Sequence, residues 1–408
     1  MVPMGNLLIK NPARIVSPRP GVIRGRGFGD LVIRTNESIL IRDGIIYDIA
    51  PLSRLERVAA RDGITELDAT GKAVIPGFVD CHSHIVFSGN RAGEFALRTS
   101  GVDYQTIAAQ GGGIAATVQA TRAASAAELK DIGHHYLARA LRQGITTMEI
   151  KSGYGLDPAT EMKMLEVVND LNAEQPIDLV PTFMGAHAVP KGMAKDIYLQ
   201  EIKAMIPKAA RLARFCDVFC EQGYFSPEES GEILAEARIH GLLPRLHANQ
   251  FHSIGCIEKA LDLRAVSVDH LEVLDAREIT LLAGSNTACV VLPGVSLFLD
   301  IPYAPARWMI DSGCIVAIAT DFNPGSNMSL SMQLMMSLAC MQMQVRLDEA
   351  LCCTTQNGAH VLRLAETGCI EAGWQADLLV LDTADYRDML YFYGENHVRT
   401  VIKKGRIV

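Results

Sequence analysis

The stretch "VIPGFVDCHSHIVFSGNR", Val74 to Arg91, sets His82 and His84 two residues apart inside an apolar run. In an extended chain alternate side chains share a face, so both imidazoles point the same way and lie close together. Two neutral imidazoles gain little from that proximity. A cation between them changes the balance, because imidazole nitrogen is a good ligand for zinc and similar ions. An isolated His-x-His is equally compatible with a strand end whose histidines bond to neighbours. The rest of the chain decides.

Seven more strand-like runs follow "GFVDCHSHIVF": "ITTMEIK", "IDLVPTFMG", "FCDVFCE", "LPRLHA", "AVSVDHLE", "TACVVLP" and "CIVAIATD". Helical stretches lie between most of them. One, "SAAELKDIGHHYLARALRQG", has Ser125 as N-cap, Glu128 three residues on as a capping box, and Gly144 just past its end. Eight strand–helix alternations over about 250 residues predict a (β/α)8 barrel within the α/β class. A doubly wound open sheet is the alternative, since periodicity alone does not show closure. The segment before the barrel ("LVIRTNESILIRDGIIYDIAPL") and the one after it ("ADLLVLDTADY", "HVRTVIKKGRIV") share a turn-broken, β-rich style. That likeness predicts that residues 1–74 and 367–408 pair into one small β-sandwich domain, with the barrel, 75–366, inserted between them.

Of 408 residues, 49% are hydrophobic and 21% charged, a balance that gives a folded chain and excludes extensive disorder. A net charge of -8 argues against nucleic acid or an anionic membrane surface as partner and favours a small-molecule substrate. No run approaches the roughly 20 apolar residues of a membrane span, and the start, "MVPMGNLLIKNPARIV", lacks a secretory core. A cytoplasmic location is expected. The 10 cysteines are scattered without CxxC pairs, so reduced thiols are expected as well.

In a (β/α)8 barrel the chemistry sits at the C-terminal ends of the strands. Strand one ends in His82 and His84, strand five in His247, strand six in His270 and strand eight in Asp321. With only 11 histidines in the chain, that concentration on one rim is not accidental. His134, His135, His240, His360 and His397 fall in helices or the periphery and read as structural. Three histidines and a carboxylate suit one divalent ion, Zn2+ or Fe2+ (or Fe3+), with an open position; such an ion brings the pKa of water to about 7 and polarises a carbonyl. A purely structural metal would favour a closed, cysteine-rich set.

The surrounding text resembles a known family. "EFALRTSGVDYQTIAAQGGGI", "TTMEIKSGYGLD", "FMGAHAVP", "DVFCEQGYFS" and "ATDFNPGS" are similar, in this order, to blocks of the imidazolonepropionase family within the amidohydrolase superfamily. The resemblance implies hydrolysis of the cyclic amide bond of 4-imidazolone-5-propanoate to N-formimidoyl-L-glutamate with one bound metal ion, in a homodimer. It implies His82, His84, His247 and Asp321 as ligands, and Arg91, Tyr154, His187, Gln250, Asn323, Gly325 and Ser326 as substrate contacts. Arg91 offers a planar fork matched to the propionate. Tyr154 sits in "SGYG", where glycines let a loop bring a phenol over the rim; Tyr104 is a further candidate on similar grounds. "QGGGI", Gln110 to Ile114, reads as a substrate-covering loop, since its spacing is not that of a phosphate loop.

Two departures spare the ligands: "DCHSH" stands where the family usually has "DPHTH", and "DFNPGS" where it has "DCNPGT". A second metal would need a bridging lysine or carboxylate from strand four; "FCEQ" supplies no lysine, Lys151 follows strand two, and only Glu221 would support it. Gln250 stands where cytosine-type deaminases place a proton-shuttling glutamate, and an amide cannot do that work. Asp321 and His270 are therefore the expected catalytic groups. The alternatives are an aminohydrolase of a nucleobase-like ring and an inactive barrel scaffold.

Overall fold

The computed structural model describes residues 5–59, 64–101 and 112–408. The apolar runs form eight strands: β1 (Phe78–Asp80), β2 (Ile145–Lys151), β3 (Asp178–Ala186), β4 (Phe215–Cys220), β5 (Leu243–Ala248), β6 (Ser267–His270), β7 (Ala288–Val291) and β8 (Ile315–Ile318). All are parallel and pair in chain order. Their residues are almost all buried, as covering helices require.

Closure comes just beyond the two end strands. The His84 N–H donates to the Phe322 carbonyl and the Asp321 N–H to the His82 carbonyl, each at 2.9 Å. Below them, Thr320 donates its N–H and its hydroxyl to the Asp80 carboxylate at 3.0 and 2.6 Å. The sheet is a barrel, and the open doubly wound alternative falls. The helix Ala126–Arg142 carries the expected capping box between Ser125 and Glu128. Leu129, Leu137 and Ala140 form its buried stripe, each leucine worth roughly 1.5–3 kcal/mol of apolar burial.

The two chain ends supply two further sheets. One has four strands, in the order Ile45–Ala50, Ser38–Arg42, Leu7–Lys10, Thr65–Asp68. The other has six and mixes both ends: Arg406–Ile407, Val398–Lys403, Leu378–Leu381, Ala73–Pro76, Arg14–Pro18, Leu31–Arg34. Leu7, Ile9, Ile39 and Ile41 of the first meet Val74, Leu378, Val380 and Ile402 of the second in one apolar layer, a small β-sandwich. It is fastened to the barrel's N-terminal end. Lys403 Nζ donates to Asp377 at 2.6 Å and to Asp178, which opens β3, at 2.8 Å; Lys404 Nζ reaches Asp178 at 2.5 Å. The opposite rim is left free for loops.

The expectation of reduced thiols needs one correction. Cys220, at the end of β4, and Cys256, at the start of the helix Cys256–Asp262, are joined as a disulfide with Cα atoms 6.2 Å apart. Thirty-six residues separate them along the chain, so only the fold brings them together. The other eight cysteines are free. Among the described residues no helix is long and apolar enough to cross a membrane.

Candidate active site

At the C-terminal rim four imidazoles crowd around one carboxylate. Ring centroids of His82 lie 5.7 Å from His84, 4.5 Å from His247 and 5.7 Å from His270. The Nε2 atoms of His82 and His84 each stand 3.5 Å from Asp321 Oδ1. His82 and His84 lie just past the end of β1, on either side of Ser83, which bridges to Phe322.

Carboxylates set the ring orientations. His82 Nδ1 is 2.7 Å from Asp269 Oδ2, and His247 Nδ1 is 3.1 Å from Asp217 Oδ1. An ionised carboxylate only accepts, so Nδ1 carries the proton in both rings and Nε2 turns its lone pair to the centre. Burial holds the His82, His84 and His247 rings below the usual histidine range, which keeps them neutral and ligand-ready. Burial also pushes Asp321 up to about 6. For His270 burial acts downward, but the Glu272 carboxylate, 3.6 Å from Nδ1, outweighs it and the ring is raised.

The backbone here is strained. Asn249 (φ 55°), His270 (φ 85°), Leu271 (φ 70°) and Asp321 (φ 46°) all occupy the left-handed region, at a cost of about 1–3 kcal/mol each that the surrounding contacts must offset. Unsatisfied atoms collect in the same place. His82 Nε2 and Asp321 Oδ1 are buried without a hydrogen-bond partner. Two such atoms facing one another, together with neutral imidazoles, fit a divalent cation. His82, His84 and His247 offer ligand atoms within 4.8 Å of one another, and so do His82, His270 and Asp321. Charge agrees with geometry: around the centre the buried acids Glu149, Asp217, Asp269, Glu272 and Asp321 outnumber the buried Lys151 and Arg245.

Around this centre the cavity wall is made by Tyr154, His187, Phe219, Gln250, Asn323 and Ser326. Glu161, buried in the helix Pro158–Glu174, accepts from the N–H groups of Gly153, Gly155 and Leu156 at 3.0, 2.8 and 2.9 Å and so shapes the loop that carries Tyr154. Gly153 has φ +103°, and a side chain there would press on His187. His187 Nδ1 donates to the Gly153 carbonyl at 3.0 Å, and burial depresses its pKa to about 4. Asn323 braces its own loop: its Oδ1 accepts from Gly325 and Ser326 N–H at 2.7 and 2.9 Å, and its Nδ2 donates to the Ser326 hydroxyl at 2.7 Å.

Arg91 is not in this cavity. It lines an adjoining cleft with Arg98, Phe298, Pro324 and Gly325, and its Nε donates to Glu94 at 2.8 Å. Gly325 joins the two spaces, since a Cβ there would come within 2.8 Å of Arg91 Nη1 and 3.2 Å of Asn323 Oδ1. Tyr104 and Gln110 lie outside the described residues. Glu221 turns away from the centre: its carboxylate accepts from the Phe251 N–H at 2.9 Å and pairs with His252. A cavity of about 820 Å3 beside Phe298 and Arg142 has no histidine on its wall.

Sequence reading missed Phe219, Asp217, Asp269, Glu149 and Arg245. A signal was present. Arg245 precedes His247 by two residues, Asp217 precedes Phe219 by two, and Glu149 precedes Lys151 by two; in a strand each pair shares the barrel's interior face.

Three histidines and a carboxylate at the C-terminal rim of a (β/α)8 barrel define a metal-dependent hydrolase, and residues 73–408 match the amidohydrolase family. Two relatives are each 42% identical, an imidazolonepropionase from Rubrobacter xylanophilus, with 98% of both chains covered, and one from Deinococcus radiodurans, with 98% of this chain and 99% of that one. The chain belongs to the imidazolonepropionase family of amidohydrolases. Among solved structures, a 5-methylcytosine deaminase from Klebsiella pneumoniae superposes with a TM-score of 0.74 at 17% identity, over 98% of this chain and 97% of that one, a likeness of fold.

Proposed function

We propose that this chain hydrolyses the cyclic amide C–N bond of 4-imidazolone-5-propanoate to N-formimidoyl-L-glutamate, a step of histidine degradation. The observation that carries the reading is the convergence of His82, His84, His247, His270 and Asp321 on one rim, in a chain 42% identical over 98% of its length to an imidazolonepropionase. His82, His84, His247 and Asp321 would hold one divalent ion, Zn2+ or Fe2+. When bound, that ion supplies Lewis acidity, bringing water toward ionisation at neutral pH and polarising the amide carbonyl.

The chain's own groups supply the rest. Asp321, its Oδ2 3.4 Å from the Ser326 hydroxyl, accepts the attacking water's proton and returns it to the leaving nitrogen. His270, its Nδ1 3.6 Å from the Glu272 carboxylate, donates to the developing oxyanion. Tyr154 and His187 contact the ring, Phe219 gives it an apolar wall, and Gln250 hydrogen-bonds without carrying a proton. The propionate extends past Gly325 to Arg91, which exchanges part of its pairing with Glu94 for the substrate carboxylate. A homodimer is part of the same reading, supported by exposed Phe95, Leu297 and Met328 around one cavity.

Freshly generated imidazolone propionate should lose its ultraviolet absorbance with equimolar appearance of N-formimidoyl-L-glutamate and no ammonia. Ammonia release from nucleobases, with the imidazolone untouched, would put the deaminase reading in its place.

A further inference from the structure

Behind the ligand histidines five charged side chains are packed without solvent contact: Glu149 and Lys151 from β2, Asp217 from β4, Arg245 from β5 and Asp269 from β6. The Lys151 ammonium lies 2.6 Å from Asp217 Oδ2, 3.0 Å from Glu149 Oε2 and 3.8 Å from Asp269 Oδ2. Two of these carboxylates are the ones that hold His247 and His82 by Nδ1. Oxygens of Asp217 and Asp269 and a ring nitrogen of His247 also fall within 4.8 Å of one another, the spacing of ligands around one ion.

We propose that Lys151 is a built-in cation: its ammonium fills a second cation position behind the ligand set, keeps the centre mononuclear, and through Asp217 and Asp269 fixes the orientation of His247 and His82. Carboxylates from three strands around one ammonium are a donor set that a divalent ion also accepts. An ammonium with three donors satisfies the same oxygens without competing for imidazole nitrogen. Arg245 could not take its place. Its guanidinium already bridges Glu149 at 2.7 Å and Asp269 at 2.7 Å and lies on the side of Asp269 nearer the Cys81 carbonyl. Lys151 is thus a positioning residue that never touches substrate, and removing its side chain opens a pocket already lined with anionic oxygens.

The inference rests on the ligand assignment above, and metal stoichiometry separates the two. Wild-type chain, saturated with Zn2+ and freed of excess by gel filtration, should carry one ion; Lys151→Ala should carry two, with a second set of Co2+ absorption bands on cobalt loading. Lys151→Met, uncharged but filling the space, and Lys151→Arg should each carry one. A folded Lys151→Ala chain that saturates at one ion would reduce Lys151 to a fastener of strands, and two ions in the wild type or in Lys151→Met would overturn the proposal outright. Should Lys151→Ala fold only in excess Zn2+, recovery with two ions bound supports the proposal and recovery with one overturns it; should it fold in neither condition, the counts in the wild type and Lys151→Met decide. A wild-type chain carrying no ion would instead sink the ligand assignment.

Discussion

The two ends of the barrel are built on opposite rules. At the N-terminal end, where the β-sandwich docks, Lys403 is fully buried yet paired with Asp377 and Asp178, and Gln375 adds hydrogen bonds to the same two carboxylates at 2.7 and 3.0 Å. At the C-terminal rim, His82 Nε2, His270 Nδ1, both Glu272 oxygens and Asp321 Oδ1 have no hydrogen-bond partner. Buried polar groups are normally satisfied. An end that satisfies them is built for stability. One that leaves them open is built to receive something.

Variants at the two ends should therefore fail differently. His82→Ala and Asp321→Ala, each deleting one of the four proposed ligands, should lose metal and turnover together while the fold persists, as read by metal analysis and circular dichroism. His270→Asn should keep its metal and lower kcat by about 10²–10⁴-fold, the usual worth of a positioned acid–base or oxyanion group. Near-normal kcat would remove His270 from the chemistry. One layer further in, Asp217→Asn or Asp269→Asn should weaken metal binding by about 10–100-fold, measured by competition with a chelating dye, because the charged acceptor of the Nδ1 proton becomes a neutral amide.

The smallest effect belongs to the other end. Burial would raise the Asp178 carboxyl, but Lys403 and Lys404 outweigh it and hold its pKa below the ordinary value. A carboxylate depressed in the folded state stabilises above its unfolded pKa of about 4, and that contribution fades as pH falls through the lower folded value. Asp178→Asn should thus cost about 1 kcal/mol at neutral pH, discounted for its partial exposure, and show a flatter acid limb of stability with turnover unchanged. Loss of turnover without loss of stability would blur the contrast between the two ends.

What could be read from the sequence follows the same division. Eight apolar runs, a capping box at Ser125 and histidines at strand ends are local signals, and they carried the barrel, the rim and the ligand-type residues. Where partners are distant the sequence is silent. Cys220 meets Cys256 only after a helix and a strand have folded back, and Arg91 meets Gly325 in a cleft whose existence depends on β8's loop. The interior charges show the limit most clearly. "FCDVF" and "SVDH" each place one aspartate in an apolar strand, and period two puts it on the inner face, but only closure of the barrel brings Asp217 and Asp269 to the same lysine.

In the proposed reaction, ring opening depends on one divalent ion held by the rim's open donor set. Stripping the purified chain with a chelator and adding Zn2+ or Fe2+ back in steps, while following the absorbance of imidazolone propionate, tests it directly. Turnover should vanish on stripping and return in proportion to metal, reaching its plateau at one equivalent per chain; full turnover in the stripped protein, or a plateau only at two equivalents, would contradict it.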